Sequence, residues 1–437
     1  KQMDNRMTTL RNEVRQELEN DILPFWMEKM TDSGRGGFYG RIDGGDTLHA
    51  DAPKGAILNA RILWTFSAAY RILRRPEYLD TATRAKRYLI DRFYDKDFGG
   101  VYWSLDADGN PLDTKKQIYA QGFAIYGLGE YARATGDDEA LDYAVRLFNL
   151  IEEHSFDRGR NGYVEAFMRD WSVIGDMRLS DKDENASKTM NTHLHILEPY
   201  ANLYRVWKDA RLERQLRNMI GLFTDKIMNR ETSHLDLFFD DDWHTRGDIV
   251  SYGHDIEASW LIHEAALVLG DKALLKEIEP VIVNIARAAD EGLNPDGSLI
   301  YEQTSGRVDE QTSGQADGQT SRQGTDGVHA GKQGEAPCQL VTCTSSTDKE
   351  LHWWVQAENV VGHVNLYQHF GDEAALDTAV KCWQFIKNCL IDREHGEWHW
   401  SLMPDGTVNR RDDKAGFWKC PYHNGRMCME IIERFGD

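Results

Sequence analysis

The chain has 437 residues, 41% of them hydrophobic, and a formal net charge of −21. That is enough apolar material for a large core, and an acidic balance without a basic run argues against nucleic acid or an anionic membrane as partner. No stretch approaches the roughly 18 consecutive apolar residues of a membrane-spanning helix.

A charged amphipathic stretch comes first and predicts a helix over residues 8–29, with no apolar core of the signal-peptide kind. Gly36-Gly37-Phe38-Tyr39-Gly40 follows, the glycine-bounded alternation of a short β-hairpin. The signal recurs at residues 99–103, 161–165, 235–239, 296–301 and 396–400, with second turns at 106–111, 240–243 and 404–406. Between hairpins the apolar period becomes helical. Each interval predicts a helix that is apolar nearly all round followed by an amphipathic one: 56–70 and 78–93, 121–134 and 139–154, 193–207 and 211–228, 256–269 and 272–289, 355–370 and 373–389. A last helix is predicted over 424–435.

Six helix pairs joined by hairpins and closing on themselves make an all-α fold, an (α/α)6 barrel, with the more apolar helices inside. The alternative is an open α-solenoid, which needs capping repeats with polar outer faces that the sequence lacks. One spacing is too long. Residues 303–347 are rich in Gly, Gln, Ser, Thr and Asp, contain near-copies of Gln-Thr-Ser-Gly, and carry no apolar period. They read as a flexible insertion at the tip of the fifth hairpin of a single domain spanning 1–437. The six cysteines, Cys338, Cys343, Cys382, Cys389, Cys420 and Cys428, form no C-x-x-C pair and suit a reducing, cytoplasmic setting.

Three polar segments stand out in register with the repeat: Met190-Asn191-Thr192-His193-Leu194-His195, Ser251-Tyr252-Gly253-His254-Asp255-Ile256-Glu257, and Gly416 through Arg426. A toroid gathers the starts of its inner helices at one funnel. His193 and His195 open one such helix, His254 and Trp354 precede two others, Trp418 and His423 precede the last, and Arg61 and Tyr119 lie near the first two. Histidine takes and gives protons near neutrality. Two imidazoles facing each other across a carbon next to a carbonyl could invert it, with Arg61, His195 and Asn191 as candidates to stabilise the enediolate oxygen. The 13 Trp, 17 Tyr and 16 Phe suit a sugar-binding cleft as well as a core.

Arg61, in an apolar helix, reads either as half of a structural ion pair or as the partner of an anionic intermediate. Glu257 reads as a solvated charge, as a residue orienting His254, or as a holder of a sugar hydroxyl. Trp354 and Trp418 are core residues or stacking platforms. His193-x-His195 and His395-x-x-x-His399 have metal-like spacing but lack a convincing further ligand, so no metal is expected. No phosphate-cradling or dinucleotide-binding glycine motif is present.

The segments Lys54 through Arg61, Met190 through His195, Gly253 through Trp260, His352-Trp353-Trp354 and Phe417 through Arg426 together resemble the N-acylglucosamine 2-epimerase superfamily over about residues 10–435. The resemblance implies an (α/α)6 barrel that needs no cofactor and epimerises C2 of the reducing-end glucose of β-1,4-linked disaccharides. It places His254 and His423 as the acid/base pair, Arg61 and His195 near the enediolate oxygen, and Tyr119, Asp183, Asn191, Glu257, Trp354 and Trp418 around the sugar. The partner expected is a small disaccharide, with the chain a monomer or weak homodimer. Three other readings stay open: a monosaccharide epimerase or aldose–ketose isomerase, a glycoside hydrolase using Asp183 and Glu257, and a non-catalytic sugar-binding protein.

Overall fold

The computed structural model describes residues 4–304 and 347–436. The body of the insertion, with Cys338 and Cys343, lies outside the described residues. Its flanks, Glu302–Thr304 and Thr347–Asp348, pair as antiparallel strands. The described residues on either side of the insertion thus belong to one strand pair.

The inner helices are Ala56–Leu73, Ile118–Thr135, Met190–Tyr204, Tyr252–Leu269, Trp353–Phe370 and Tyr422–Arg434. Each packs on the next, and the last packs back on the first, so the ring closes and the open solenoid is excluded. The outer layer holds Asn5–Glu17 running through a π-turn into Leu23–Lys29, then Pro76–Tyr88, Asp138–His154, Ala210–Leu222, Lys272–Ala289 and Glu373–Cys389. No helix among the described residues is long and apolar enough to cross a membrane.

The sequence encodes the inner-to-outer turns compactly. Gly136, Gly270 and Gly371 end inner helices in the left-handed conformation, with φ of 75°, 69° and 70°. The next residue in each case, Asp137, Asp271 or Asp372, caps the outer helix by accepting backbone N–H bonds. Glycine adopts that φ without a Cβ clash, and an Asp cap contributes about 0.5–2 kcal/mol, so two residues reverse the chain.

All six predicted hairpins form. Each is closed by one bridge after its outer helix: Thr31–Phe38, Tyr94–Val101, Phe156–Tyr163, Met228–Leu235, Leu293–Leu299 and Ile391–Trp398. The segment entering each inner helix then pairs with the following hairpin, as in Lys54 with Leu105, Lys116 with Phe167, Lys188 with Phe239, Val250 with Gln303 and Leu351 with Leu402. Ile42 with Ala415 completes this circle.

A second link clasps the same segments to their own hairpins. Buried Lys54, Lys116 and Lys188 each lie 2.9 Å from a turn carboxylate, Asp32, Asp95 and Asp157 respectively, and Lys414 pairs with Asp392. In the fourth and fifth repeats the turn residue is Asn229 or Asn294, and the lysine position holds Val250 or Leu351. Charge leaves both members of the clasp together, as the cost of one unpaired buried charge requires.

Replacing Lys54 alone by Val is therefore expected to lose about 3–5 kcal/mol by stranding Asp32. Adding Asp32→Asn, which copies the fourth repeat, should restore most of it. Urea and thermal denaturation of the two variants would check this, and a double variant no more stable than the single would contradict it.

Candidate active site

Every inner helix is entered from a hairpin-paired segment, so all six N-termini lie at one end of the ring and their dipoles favour negative charge there. The first inner helix starts at Ala56 as its apolar period predicts, and the other five start two to four residues early, so most candidates stand inside first turns rather than ahead of them. Tyr119, Asn191, Trp354 and His423 are each the second residue of their helix. Arg61, His195, Glu257 and Glu358 are each the sixth. Residues four apart share a helix face, so these sets form an upper and a lower tier of one lining. His254 is the third residue of its helix, and Trp418 lies in the loop before the last.

Trp354 packs against both predicted bases. Its ring centroid is 4.8 Å from that of His254 and 5.4 Å from that of His423. His254 Nδ1 lies 2.7 Å from the Ser251 hydroxyl. His423 Nδ1 lies 2.7 Å from Glu358 Oε1. Burial pushes His254 down to about 3, helped by His195 and His423. Burial likewise takes His423 to about 3, against Glu358 and with help from Arg61 and Arg426. Both rings are neutral at neutral pH and able to act as bases.

Deeper lies a carboxylate cluster held by one cation. Arg426, fully buried, donates to Glu198, to Glu257 at 3.1 Å and to Glu358 at 2.6 Å. Glu198 also accepts from Tyr422 and bonds His195 Nδ1 at 2.6 Å, and Glu358 accepts from Trp260 at 2.8 Å. Against the effect of burial, Arg426 holds Glu358 below the ordinary carboxylate range and takes Glu198 to about 2. Burial and the neighbouring Glu358 drive Glu257 the other way, well above that range.

Arg61 resolves the two readings of its charge. It has no carboxylate partner among the described residues. One nitrogen donates to Tyr119 Oη at 2.8 Å and another to the Trp418 carbonyl at 3.3 Å, while the guanidinium lies over Phe123 and Tyr422 at 4.3 and 4.6 Å. Its Nε is buried without a partner, as is Asn191 Oδ1. A buried cation lacking a counter-ion is prepared for negative charge that arrives or develops.

The helix of His195 is broken to fit. Pro199 has no N–H for the His195 carbonyl, and His195 takes φ −91° and ψ 16° inside the helix. The freed carbonyl turns to the neighbouring helix at Gly122, where a Cβ would come within 2.2 Å of it. Tyr119 packs on His195 at 5.0 Å and on Trp418 at 5.9 Å, joining three predicted residues at the mouth.

Other expectations change. Glu257 does not orient His254: Ser251 does, and Glu257 sits by Arg426, 3.9 Å from His423 Nδ1. Asp183 accepts from the Ser180 N–H and hydroxyl in the loop before the third inner helix, half-buried, and bonds no other candidate. His193 is structural, with Nδ1 at 2.6 Å from the Thr189 carbonyl and Nε2 accepting the Tyr163 N–H at 3.0 Å, so it does not converge with His195. Glu257, Glu358 and His423 come close enough for a cation, but the Arg426 guanidinium already serves them. Near His395, Lys414 likewise pairs with the two carboxylates, Asp46 and Asp392. Sequence reasoning missed Ser251, Glu198, Glu358, Tyr422 and Arg426 as site residues. The available signal was ionisable residues in helices otherwise apolar all round.

The ring of helices, with histidines in the first turns of its inner layer and a buried arginine that lacks a carboxylate partner among the described residues, belongs to a known family: the chain is a member of the N-acylglucosamine 2-epimerase (GlcNAc 2-epimerase) family, matching it over residues 37–313 and 324–425. It is 62% identical over 423 residues to the cellobiose 2-epimerase of Bacteroides fragilis, covering 97% of this chain and 98% of that one. It is 40% identical to the cellobiose 2-epimerase of Ruminococcus albus, over 97% and 98% of the two chains. The solved cellobiose 2-epimerase of Bacillus thermoamylovorans superposes with a TM-score of 0.85 at 41% identity, over 98% of this chain and 100% of that one.

The depressed imidazoles have a consequence for stability. An unfolded histidine protonates near 6.5, whereas folded His254 and His423 resist until about 3. Their contribution is full above 6.5 and is lost as pH falls toward the folded values. The thermal midpoint should fall steadily between about pH 6.5 and pH 4, and His423→Gln should shallow the fall. A midpoint level across that range would contradict the neutral-imidazole assignment.

Proposed function

We propose that this protein epimerises C2 of the reducing-end glucose of β-1,4-linked disaccharides, turning cellobiose into 4-O-β-D-glucosyl-D-mannose and acting also on lactose or mannobiose. The observation that carries the reading is a pair of buried imidazoles, both in contact with Trp354, in the same ring of first turns as an Arg61 that has no carboxylate partner among the described residues. The near full-length identity to cellobiose 2-epimerases supports the choice of substrate class.

The reaction follows from these groups. Opening the sugar ring exposes an aldehyde and makes the C2 proton acidic. One of His254 and His423 removes that proton, and the electron pair moves onto the aldehyde oxygen to give a cis-enediolate. Arg61 meets this charge, with His195 beside it and the helix N-termini around it. The opposite imidazole, taken to imidazolium by a proton from solvent, returns that proton to the other face of C2. The first releases the one it removed to solvent, both rings end neutral, and the sugar ring closes on the inverted centre. Trp354 and Trp418 offer faces for the sugar, and Tyr119, Asn191, Asp183 and Glu257 offer hydroxyl partners. Proton transfer and charge stabilisation are both met by side chains, so the scheme calls on no cofactor. The hydrolase reading is weaker, since Glu257 sits on Arg426 and Asp183 on Ser180 instead of facing each other.

Incubation of the protein with cellobiose in D₂O, followed by proton NMR, tests the proposal. The expected result is loss of the reducing-end C2 proton signal with appearance of the manno epimer. A ketose product would point to isomerisation and free glucose to hydrolysis, and either would overturn the assignment. His254→Ala and His423→Ala should each abolish turnover with far-UV circular dichroism unchanged. Arg61→Met should lower kcat by about 10²–10³, the typical loss of one oxyanion-stabilising donor.

A further inference from the structure

The two bases are tethered by chemically different partners. Glu358 is held ionised by Arg426 and also accepts from Trp260, so towards His423 it can only accept. Neutral His423 must therefore carry its proton on Nδ1 and present a bare Nε2. His254 Nδ1 faces the Ser251 hydroxyl at 2.7 Å. That oxygen already accepts the backbone N–H of His254 at 3.4 Å as the helix cap, and Ser251 is buried, with no other acceptor for its proton among the described residues. The hydroxyl proton is best placed on Nδ1, which puts the ring proton of neutral His254 on Nε2.

We propose that Ser251 is a positioning residue that holds His254 in the tautomer opposite to that of His423, so the substrate-free site presents one bare and one protonated imidazole nitrogen. The inference rests on the two-base reading for its consequence but not for its geometry. On His423's side a ready acceptor meets the C2 proton. On the other side His254 first offers a hydrogen bond to a sugar oxygen. It becomes an acceptor only after losing the Nε2 proton to water and taking one on Nδ1, with the Ser251 hydroxyl turning from donor to acceptor. Solvent takes the Nε2 proton and supplies the Nδ1 proton, so the ring is neutral before and after, and a hydroxyl, which can donate or accept, permits this exchange where a carboxylate forbids it. The two epimers present C2–H to opposite faces, so they meet unequal bases.

The test uses the full chain with ¹⁵N-labelled histidine, without substrate at neutral pH, and long-range proton–nitrogen correlation spectra. His254→Gln and His423→Gln supply the assignments by loss of signal. The expected pattern is a protonated Nδ1 in His423 and a protonated Nε2 in His254. Ser251→Gly keeps a usable helix cap. It should turn His254 into a mixture of tautomers, leave His423 unchanged, and lower kcat about tenfold with KM held, a fraction of what general-base catalysis supplies. Ser251→Thr should restore both. The same tautomer in both rings, or His254 signals unmoved by Ser251→Gly, would overturn the inference. Failure of C2 deuterium exchange in the unmodified protein would instead overturn the functional reading while the nitrogen signals still report the tautomers.

Discussion

The Arg426 guanidinium is the contact on which the site depends. It is fully buried and gathers Glu198, Glu257 and Glu358 from three different inner helices. Two of these carboxylates in turn hold His195 and His423 by Nδ1. Removing the cation would leave three carboxylates facing one another in a dry interior, an arrangement no packing could offset. With it in place, the imidazoles are fixed by rigid partners rather than by loops. One guanidinium contacts all three carboxylates, and burial together with the neighbouring Glu358 displaces Glu257 upward.

The frame was legible in the sequence because its signals are local. Glycine-bounded alternation marks hairpins, and the change of period marks helices, wherever in the chain they fall. The start at Ala56 was legible too, but the other five inner-helix starts were not, since polar residues such as Asn191, His254 and His423 in their first turns interrupt the apolar period that defines a helix. The histidines and Arg61 stood out because they are ionisable groups in aromatic or apolar surroundings. Their partners did not. That Glu358 belongs to His423 and Ser251 to His254 depends on side-chain directions and on chain separations that no spacing encodes. The insertion stood out by composition, while its junction within a strand pair is a matter of tertiary hydrogen bonding.

Repetition in the backbone serves asymmetry in the chemistry. Equivalent helix positions hold Arg61, His195, Glu257 and Glu358 in one tier and Tyr119, Asn191, Trp354 and His423 in the other. The frame fixes how deep each side chain reaches, and the side chain decides what stands there. Departures from the repeat occur where the chemistry needs them, as at the Pro199 break that sets His195 against Gly122.

The buried lysine–aspartate clasps are distributed unevenly around the ring. They secure four hairpins, and the two without them, at Asn229 and Asn294, are adjacent. The extra chain between Thr304 and Thr347 lies within the fifth of these units. A neutral, apolar junction has no charge to strand when its geometry shifts, so this arc is the natural point of entry for lengthened chain during divergence. New loops in such barrels would then enter beside the helices that carry His254 and Trp354, where lengthened chain can alter what reaches the site without rebuilding the other four junctions.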